Sequence, residues 1–239
     1  MRRVVIPELL DSDAGTPDEI AASLGDLHRI NRWFGGIATT QWMVEHVART
    51  VKAESLSLLE VAAGSGNTAE ATRIRLRDRE FRLEVTLLDR AFSHLSNGLH
   101  NGGRRAVAGN ALALPFQDAS FDLVSCGLFA HHLSPGELIQ FAKEALRVCR
   151  IAVLINDLVR HPLHLALVYA GLPLYRGRLT RHDAPASVRA AYTPDEMRNL
   201  LLQAGARPAE IHRHYLFRMA VIAWKKQQAA APGETPCTT

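Results

Sequence analysis

The sequence predicts an α/β fold, a doubly wound and largely parallel sheet of seven strands with a helical segment in front of it. Three observations predict it. Short apolar runs alternate with helix-patterned stretches from Leu56 to Ile155, the signature of strands joined by crossover helices. One run, Ile151 to Ile155, is nearly all apolar, as a parallel strand covered on both faces requires. Two late runs, about Glu210 to Tyr215 and Phe217 to Trp224, are joined tightly enough to close one edge as an antiparallel hairpin.

Each element follows in order. Ile20, Leu24, Leu27 and Ile30 recur at helix spacing and predict a helix over 17–34, stopped by Gly35-Gly36. Met43, Val44, Val47 and Val51 predict a second over 39–52. Leu56 to Val61 reads as the first strand, ending in small residues and glycines, with a helix from about Thr68. Strands follow at Leu83 to Leu88, Ala106-Val107 and Phe121 to Cys126. Ser134-Pro135-Gly136-Glu137 is a capping box that opens a helix running to about Cys149. After Asp157 the pattern loosens into an apolar stretch, His161 to Leu174, broken by Pro162, Gly171 and Pro173. Thr193-Pro194-Asp195-Glu196 is a second capping box, and Gly205 is placed to cap that helix at its end. The expected organisation is a helical lid over 1–52 and an α/β domain over 53–226. The domain carries a substrate-covering insertion at about 158–192, and a disordered tail follows at 227–239.

Composition limits the function classes. The chain carries 28 basic and 24 acidic residues, but they are scattered. The densest run, Arg73, Arg75, Arg77 and Arg79, is interrupted by Asp78 and reads as a solvated helix face rather than a nucleic-acid patch. No apolar run approaches the roughly 20 residues of a membrane span. Arg2 and Arg3 are followed too soon by Pro7, Glu8 and Asp11 for a signal peptide. Cys126, Cys149 and Cys237 are far apart and give no disulfide framework or zinc spacing. A reducing cytoplasm is the expected location, a small molecule the expected partner, and a homodimer is allowed. His161 and His164 lie three apart without an acidic cluster, so no metal is expected.

Four chemistry-bearing segments fall at the carboxyl ends of successive strands, where open α/β sheets bind ligands. Leu58 to Gly66 runs from a buried strand into a tight turn whose small residues allow close backbone approach. Asp89 ends the next strand and can accept both hydroxyls of a ribose. Asn110, in Gly109-Asn110-Ala111, can meet an adenine edge. Phe121-Asp122-Leu123-Val124 leads into Gly127 to His132. A dinucleotide dehydrogenase would want G-x-G-x-x-G, and Ala62-Ala63-Gly64-Ser65-Gly66-Asn67 does not supply it.

Taken together, Glu60-Val-Ala-Ala-Gly-Ser-Gly66, Leu88-Asp89, Gly109-Asn110-Ala111, Leu114-Pro115-Phe116 and Phe121 to Val124 resemble the class I S-adenosylmethionine-dependent methyltransferases. The resemblance covers about Leu56 to Ile155 and is nearest the small-molecule, ubiquinone/menaquinone-biosynthesis type. It implies a Rossmann-like sheet and S-adenosylmethionine as cofactor. Gly64 and Gly66 would line the methionine part, Glu60 would orient its amino group, Asp89 would hold the ribose, Asn110 and Ala111 would touch the adenine, and Gly127 would lie beside the sulfonium. Ala62 stands where the family usually has Gly. The segment Asp26 to Gly36 resembles a helical lid, in which Arg32 meets the cofactor carboxylate; Trp33 is expected to pack in the core. The expected reaction is methyl transfer to a hydroxyl of a small apolar acceptor. Carbon transfer as in quinone biosynthesis and a non-catalytic module are the alternatives. Methyl transfer needs alignment and, for a hydroxyl, a base. The candidates are His131 and His132, just past the fourth strand, and His182, with Asp183 as its orienter.

Overall fold

The computed structural model describes residues 1–10, 15–90, 95 and 105–226; the tail expected at 227–239 lies outside the described residues. Helices α1 (Pro17–Trp33) and α2 (Gly36–Val51) lead into β1 (Ser55–Val61), α3 (Asn67–Arg77), β2 (Arg82–Asp89), β3 (Arg105–Ala108) and β4 (Phe121–Gly127). Then come α4 (Pro135–Val148), β5 (Cys149–Leu158), α5 (Pro162–Gly171), α6 (Arg178–Ala190), α7 (Pro194–Ala204), β6 (Ala209–His214) and β7 (Arg218–Trp224). The seven strands form one sheet in the order β3-β2-β1-β4-β5-β7-β6. Neighbours from β3 to β5 are parallel, and β7 runs antiparallel to both β5 and β6. The predicted fold class and closing hairpin are both present. The chain order reverses between β1 and β4, so the loops after these two strands diverge and leave a crevice at their carboxyl ends.

Local chemistry accounts for the boundaries. Reciprocal capping boxes open α1 (Thr16, Glu19), α4 (Ser134, Glu137) and α7 (Thr193, Glu196), each satisfying two backbone donors that a helix start would leave unpaired. Gly205 ends α7 at φ 107°, a left-handed cap that glycine adopts without strain.

Successive residues of β1 serve opposite layers. Leu58 joins Met43, Val44 and Val47 of α2, with Leu123, Leu154 and Ile222. Leu59 joins Leu138 and Phe141 of α4, Met197 and Leu201 of α7, and Val153 and Val221. Helix α2, expected as part of a lid, is therefore a layer of the core, whereas α1 contributes no residue to these clusters. The arginine run sits as expected, with Arg75, Arg77 and Arg79 exposed on and beyond α3 and Arg79 paired to Glu45 at 2.6 Å. No helix among the described residues is long and apolar enough to cross a membrane.

One expectation is overturned. Trp33 is 69% exposed and Phe34 58% exposed, because α1 ends beyond the sheet and their side chains meet no second layer. The stretch His161 to Leu174 forms α5 and a following helical turn, and neither contains a buried residue.

Candidate functional site

The turn after β1 is built by three residues in left-handed conformation: Ala62 (φ 53°), Gly64 (φ 53°) and Gly66 (φ 70°). The Ala63 N–H donates to the Leu88 carbonyl at 3.1 Å and the Gly66 N–H to the Ala63 carbonyl at 2.8 Å. The turn thus folds back against the end of β2 before α3 begins. A Cβ on Gly66 would stand 2.4 Å from Leu87 Cδ1, whereas one on Gly64 would meet nothing within 4 Å. Gly66 is needed for packing; Gly64 leaves an open surface beside the strand ends. Ala62 holds a backbone shape that favours glycine, and its methyl group is accommodated there at a cost of roughly 1 kcal/mol.

The acidic residues sit at the strand ends. Glu60 is 4% exposed and accepts a hydrogen bond from the Ser125 hydroxyl of neighbouring β4. Burial pushes its pKa up to about 7, against the lowering effect of that hydrogen bond. Gly127 is its neighbour across the sheet: a Cβ there would stand 3.8 Å from Glu60 Oε1. Asp89, at the end of β2, accepts the Gly64 N–H at 2.7 Å through its carboxylate and the Gly109 N–H at 3.0 Å through its carbonyl. This one residue joins the turns after β1 and β3. Asn110 is exposed; its side-chain oxygen accepts the Leu112 N–H at 2.9 Å, an Asx turn that leaves its amide group outward. Ala111 packs against the core. Six of the expected cofactor residues from four loops, Glu60, Gly64, Gly66, Asp89, Asn110 and Gly127, therefore lie along one end of the sheet. Arg32 is exposed in the last turn of α1, and among the described residues no hydrogen bond or ion pair links it to them.

The three histidines differ sharply. His131, on a single helical turn after β4 (Ala130–His132), is 2% exposed. Its Nδ1 lies 2.7 Å from Asp157 Oδ1 and its Nε2 3.5 Å from Glu8 Oε1, and its N–H donates to Asp157 Oδ2 at 3.0 Å. Burial alone would lower its pKa, but Asp157 and Glu8 outweigh that and raise it. Both ring nitrogens are thus turned to carboxylates. His132 is partly buried, its ring 4.2 Å from that of His131. His182 keeps 42% of its side chain exposed, with Nδ1 2.8 Å from Asp183 Oδ1, the pairing expected from the sequence. His161 caps α5, and its ring and that of His164 stack on Phe217 at 5.3 and 4.9 Å.

Sequence reasoning missed three contributors. Residues 1–10 form a strap across this end of the molecule. Arg3 donates to the carbonyls of His131 and Leu133, both at 2.9 Å, and of Ala190 at 2.6 Å. The Leu9 and Leu10 N–H groups donate to Asp183 at 2.8 and 3.1 Å. The strap brings Glu8 against His131 and, through Ser187 Oγ at 2.5 Å, against α6. Asp157 is the second contributor. Arg218 is the third: 4% exposed, it donates to Asn156 Oδ1 (2.8 Å), the Phe34 carbonyl (3.1 Å) and Asn31 Oδ1 (3.3 Å). It ties the sheet to the junction of α1 and α2. An acidic or basic residue at a strand end is a signal that could have marked Asp157 and Arg218. Glu8 carried no signal.

Comparison with known proteins bears on the fold. Residues 59–153 match the family model Methyltransf_11, a methyltransferase domain. No curated protein matches the chain at significant similarity. Among solved structures, the chain resembles the plantazolicin methyltransferase BpumL in complex with a triazolic desmethylPZN analog and SAH (TM-score 0.71, 14% identity, 92% of this chain and 95% of that one). It also resembles human N-acetylserotonin methyltransferase in complex with SAM (TM-score 0.52, 15% identity, 71% of this chain and 47% of that one). A third is a candidate O-methyltransferase of Nostoc punctiforme (TM-score 0.55, 18% identity, 79% of this chain and 56% of that one). The chain spans about half the length of the last two. At these identities the likeness is one of fold.

Proposed function

We propose that the chain is a class I S-adenosylmethionine-dependent methyltransferase, a reading that the family match over residues 59–153 and the fold support, and that it methylates a hydroxyl of a small, largely apolar acceptor, an aromatic, quinone-like or polyketide-like molecule. One observation carries the acceptor class. Helix α5 is apolar on every face, yet none of its residues is buried. Phe217 stacks on His161 and His164 and joins α5 to the hairpin turn. Tyr215 of that turn lies over Gly35, next to the exposed Phe34 and Trp33. These segments form an apolar rim, which suits an apolar guest better than a charged polymer. The neighbour BpumL, whose structure holds a desmethylPZN analog, is consistent with such an acceptor.

The residues present fit the cofactor. Gly64 offers an open cradle, and Glu60 is a buried carboxylate that accepts a hydrogen bond from the Ser125 hydroxyl, suited to a cofactor ammonium group. Gly64, Gly66 and Ala62 would hold the methionine part, Asp89 the ribose, Asn110 and Ala111 the adenine, Gly127 the region of the sulfonium, and Arg32 the carboxylate after moving inward. Bound there, the sulfonium supplies an electrophilic methyl group. The protein's work is to align the acceptor oxygen with it and to take up the hydroxyl proton. His131 and His132 belong to the buried carboxylate cluster. His182, held by Asp183 with its Nε2 unengaged among the described residues, is the proposed base.

Calorimetry tests the cofactor assignment directly. The chain should bind S-adenosylmethionine and its demethylated product but not NAD; NAD binding alone would overturn the reading. Asp89→Ala should weaken S-adenosylmethionine by roughly tenfold to a hundredfold with the fold intact, since charge-assisted hydrogen bonds contribute about 1.5–3 kcal/mol. An unchanged dissociation constant would reduce Asp89 to a loop brace. Mass spectrometry of hydroxylated aromatic and polyketide-type candidates incubated with the cofactor tests the acceptor class.

Glu60 makes the binding pH-dependent. Its folded-state pKa is raised to about 7 by burial, so the carboxyl is mostly protonated at pH 6 and ionised at pH 8. A cofactor ammonium prefers the ionised form, so affinity should rise about tenfold from pH 6 to pH 8, with a proton released on binding. The same shift acts on stability: the contribution is full below the ordinary value of 4.5 and is lost as pH rises through about 7. Glu60→Gln should therefore abolish the pH dependence of binding and raise the melting temperature at pH 8. A pH-dependent affinity that survives in Glu60→Gln would assign the proton elsewhere.

A further inference from the structure

We infer that Glu8, His131 and His132 form a divalent transition-metal site, with Asp157 as the outer carboxylate that orients it. Each of the three offers a ligand atom, and all three atoms lie within 4.8 Å of one another. Glu8 Oε1 and His131 Nε2 are 3.5 Å apart. Ligands at 2.0–2.2 Å from a tetrahedral ion stand about 3.4 Å from each other, so this edge is already near its bound length. Adjacent residues on a helical turn normally splay their side chains; here the two rings converge to 4.2 Å with a 33° tilt. His131 presents Nε2 to the triangle because Nδ1 is held at 2.7 Å by Asp157, whose other oxygen takes the His131 N–H. This is the arrangement by which metal-binding histidines are usually fixed. Glu8 is in turn anchored by Ser187. The site spans three distant stretches of chain, which is why sequence spacing predicted no metal.

The donor set decides the ion. Two imidazoles and one carboxylate suit zinc, cobalt, nickel or ferrous iron, not calcium or magnesium, which seek all-oxygen cages. Three protein ligands leave positions open for water or an acceptor oxygen. That second role rests on the methyltransferase reading; ion binding itself does not.

The test uses the untagged, metal-stripped full chain and cobalt(II) alone. Titration should give one equivalent of tight binding, with the visible bands of a low-coordinate N/O site that zinc displaces. His132→Ala and Glu8→Gln should each weaken the ion by at least about tenfold, and Asp157→Asn by roughly tenfold to a hundredfold. His46→Ala, remote from the triangle, should change nothing. Circular dichroism and S-adenosylmethionine calorimetry on the same variants separate loss of the ion from loss of the fold or of the cofactor site. His132 is not fully buried, so its variant keeps the test open if Glu8→Gln misfolds. Absence of stoichiometric cobalt binding, or binding indifferent to both His132→Ala and Glu8→Gln, would overturn the proposal.

Discussion

Replacing His182 with alanine should lower turnover by about 10²–10⁴-fold, the usual contribution of a positioned base, while leaving S-adenosylmethionine affinity unchanged. The imidazole is accessible, with 42% of its side chain exposed, and Asp183 Oδ1 holds Nδ1 at 2.8 Å. That contact fixes the ring's direction and leaves Nε2 for an acceptor proton. Asp183 is itself braced by the Leu9 and Leu10 N–H groups, so the pair is rigid before any ligand arrives. The ring is peripheral to the core, so its loss should not disturb folding. Single-turnover rates across pH separate the outcomes. A true base loses both rate and the acid limb of the profile. Full turnover with an unchanged profile would mean that alignment alone carries the reaction, as a readily ionised phenol would permit.

The second large effect is on stability. Arg218→Ala should cost about 3 kcal/mol, a melting shift of roughly 6–12 °C for a chain of this size. Arg218 is 4% exposed, and its guanidinium fork serves Asn156, the Phe34 carbonyl and Asn31 together. Burial lowers its pKa to about 10, against the opposing pull of Asp157, so it stays charged under ordinary conditions. Removing it strands three buried or half-buried acceptors. It also unties the Gly35-Gly36 junction from the sheet, which Asn156 Nδ2 holds at Gly36 O by 2.7 Å. Lysine, a point donor rather than a planar fork, should recover only part of the loss. A melting shift below about 2 °C for Arg218→Ala would show that the network is ornamental.

The strand ends were legible in the sequence because each strand announces its own finish. Leu58 to Val61 turns from apolar to small residues, Leu88 gives way to Asp89, and Val107 is soon followed by Asn110. Those signals are local, and the parallel sheet converts them into proximity without further information. The rim was legible only in composition. The apolar character of His161 to Leu174 is visible in the sequence, but how far such a helix is covered depends on what packs on it, and here no residue of α5 is buried. Trp33 failed for the same reason: large aromatic residues are usually buried, and the helix that bears it ends where there is no second layer.

By itself the sequence determined the doubly wound sheet, its closing hairpin, the capping boxes and the order of the turns along one sheet end. All of these follow from periodicity and from backbone preferences within a few residues. Tertiary structure alone decided the environment of each titratable group. Glu60 is shifted up because it is buried, against the lowering effect of the Ser125 hydroxyl of β4. His131 is held between Asp157 and Glu8, which lie 26 and 123 residues away along the chain. Charge and burial act through space over a few ångströms, and the chain distance between the interacting groups carries no trace of that in its pattern.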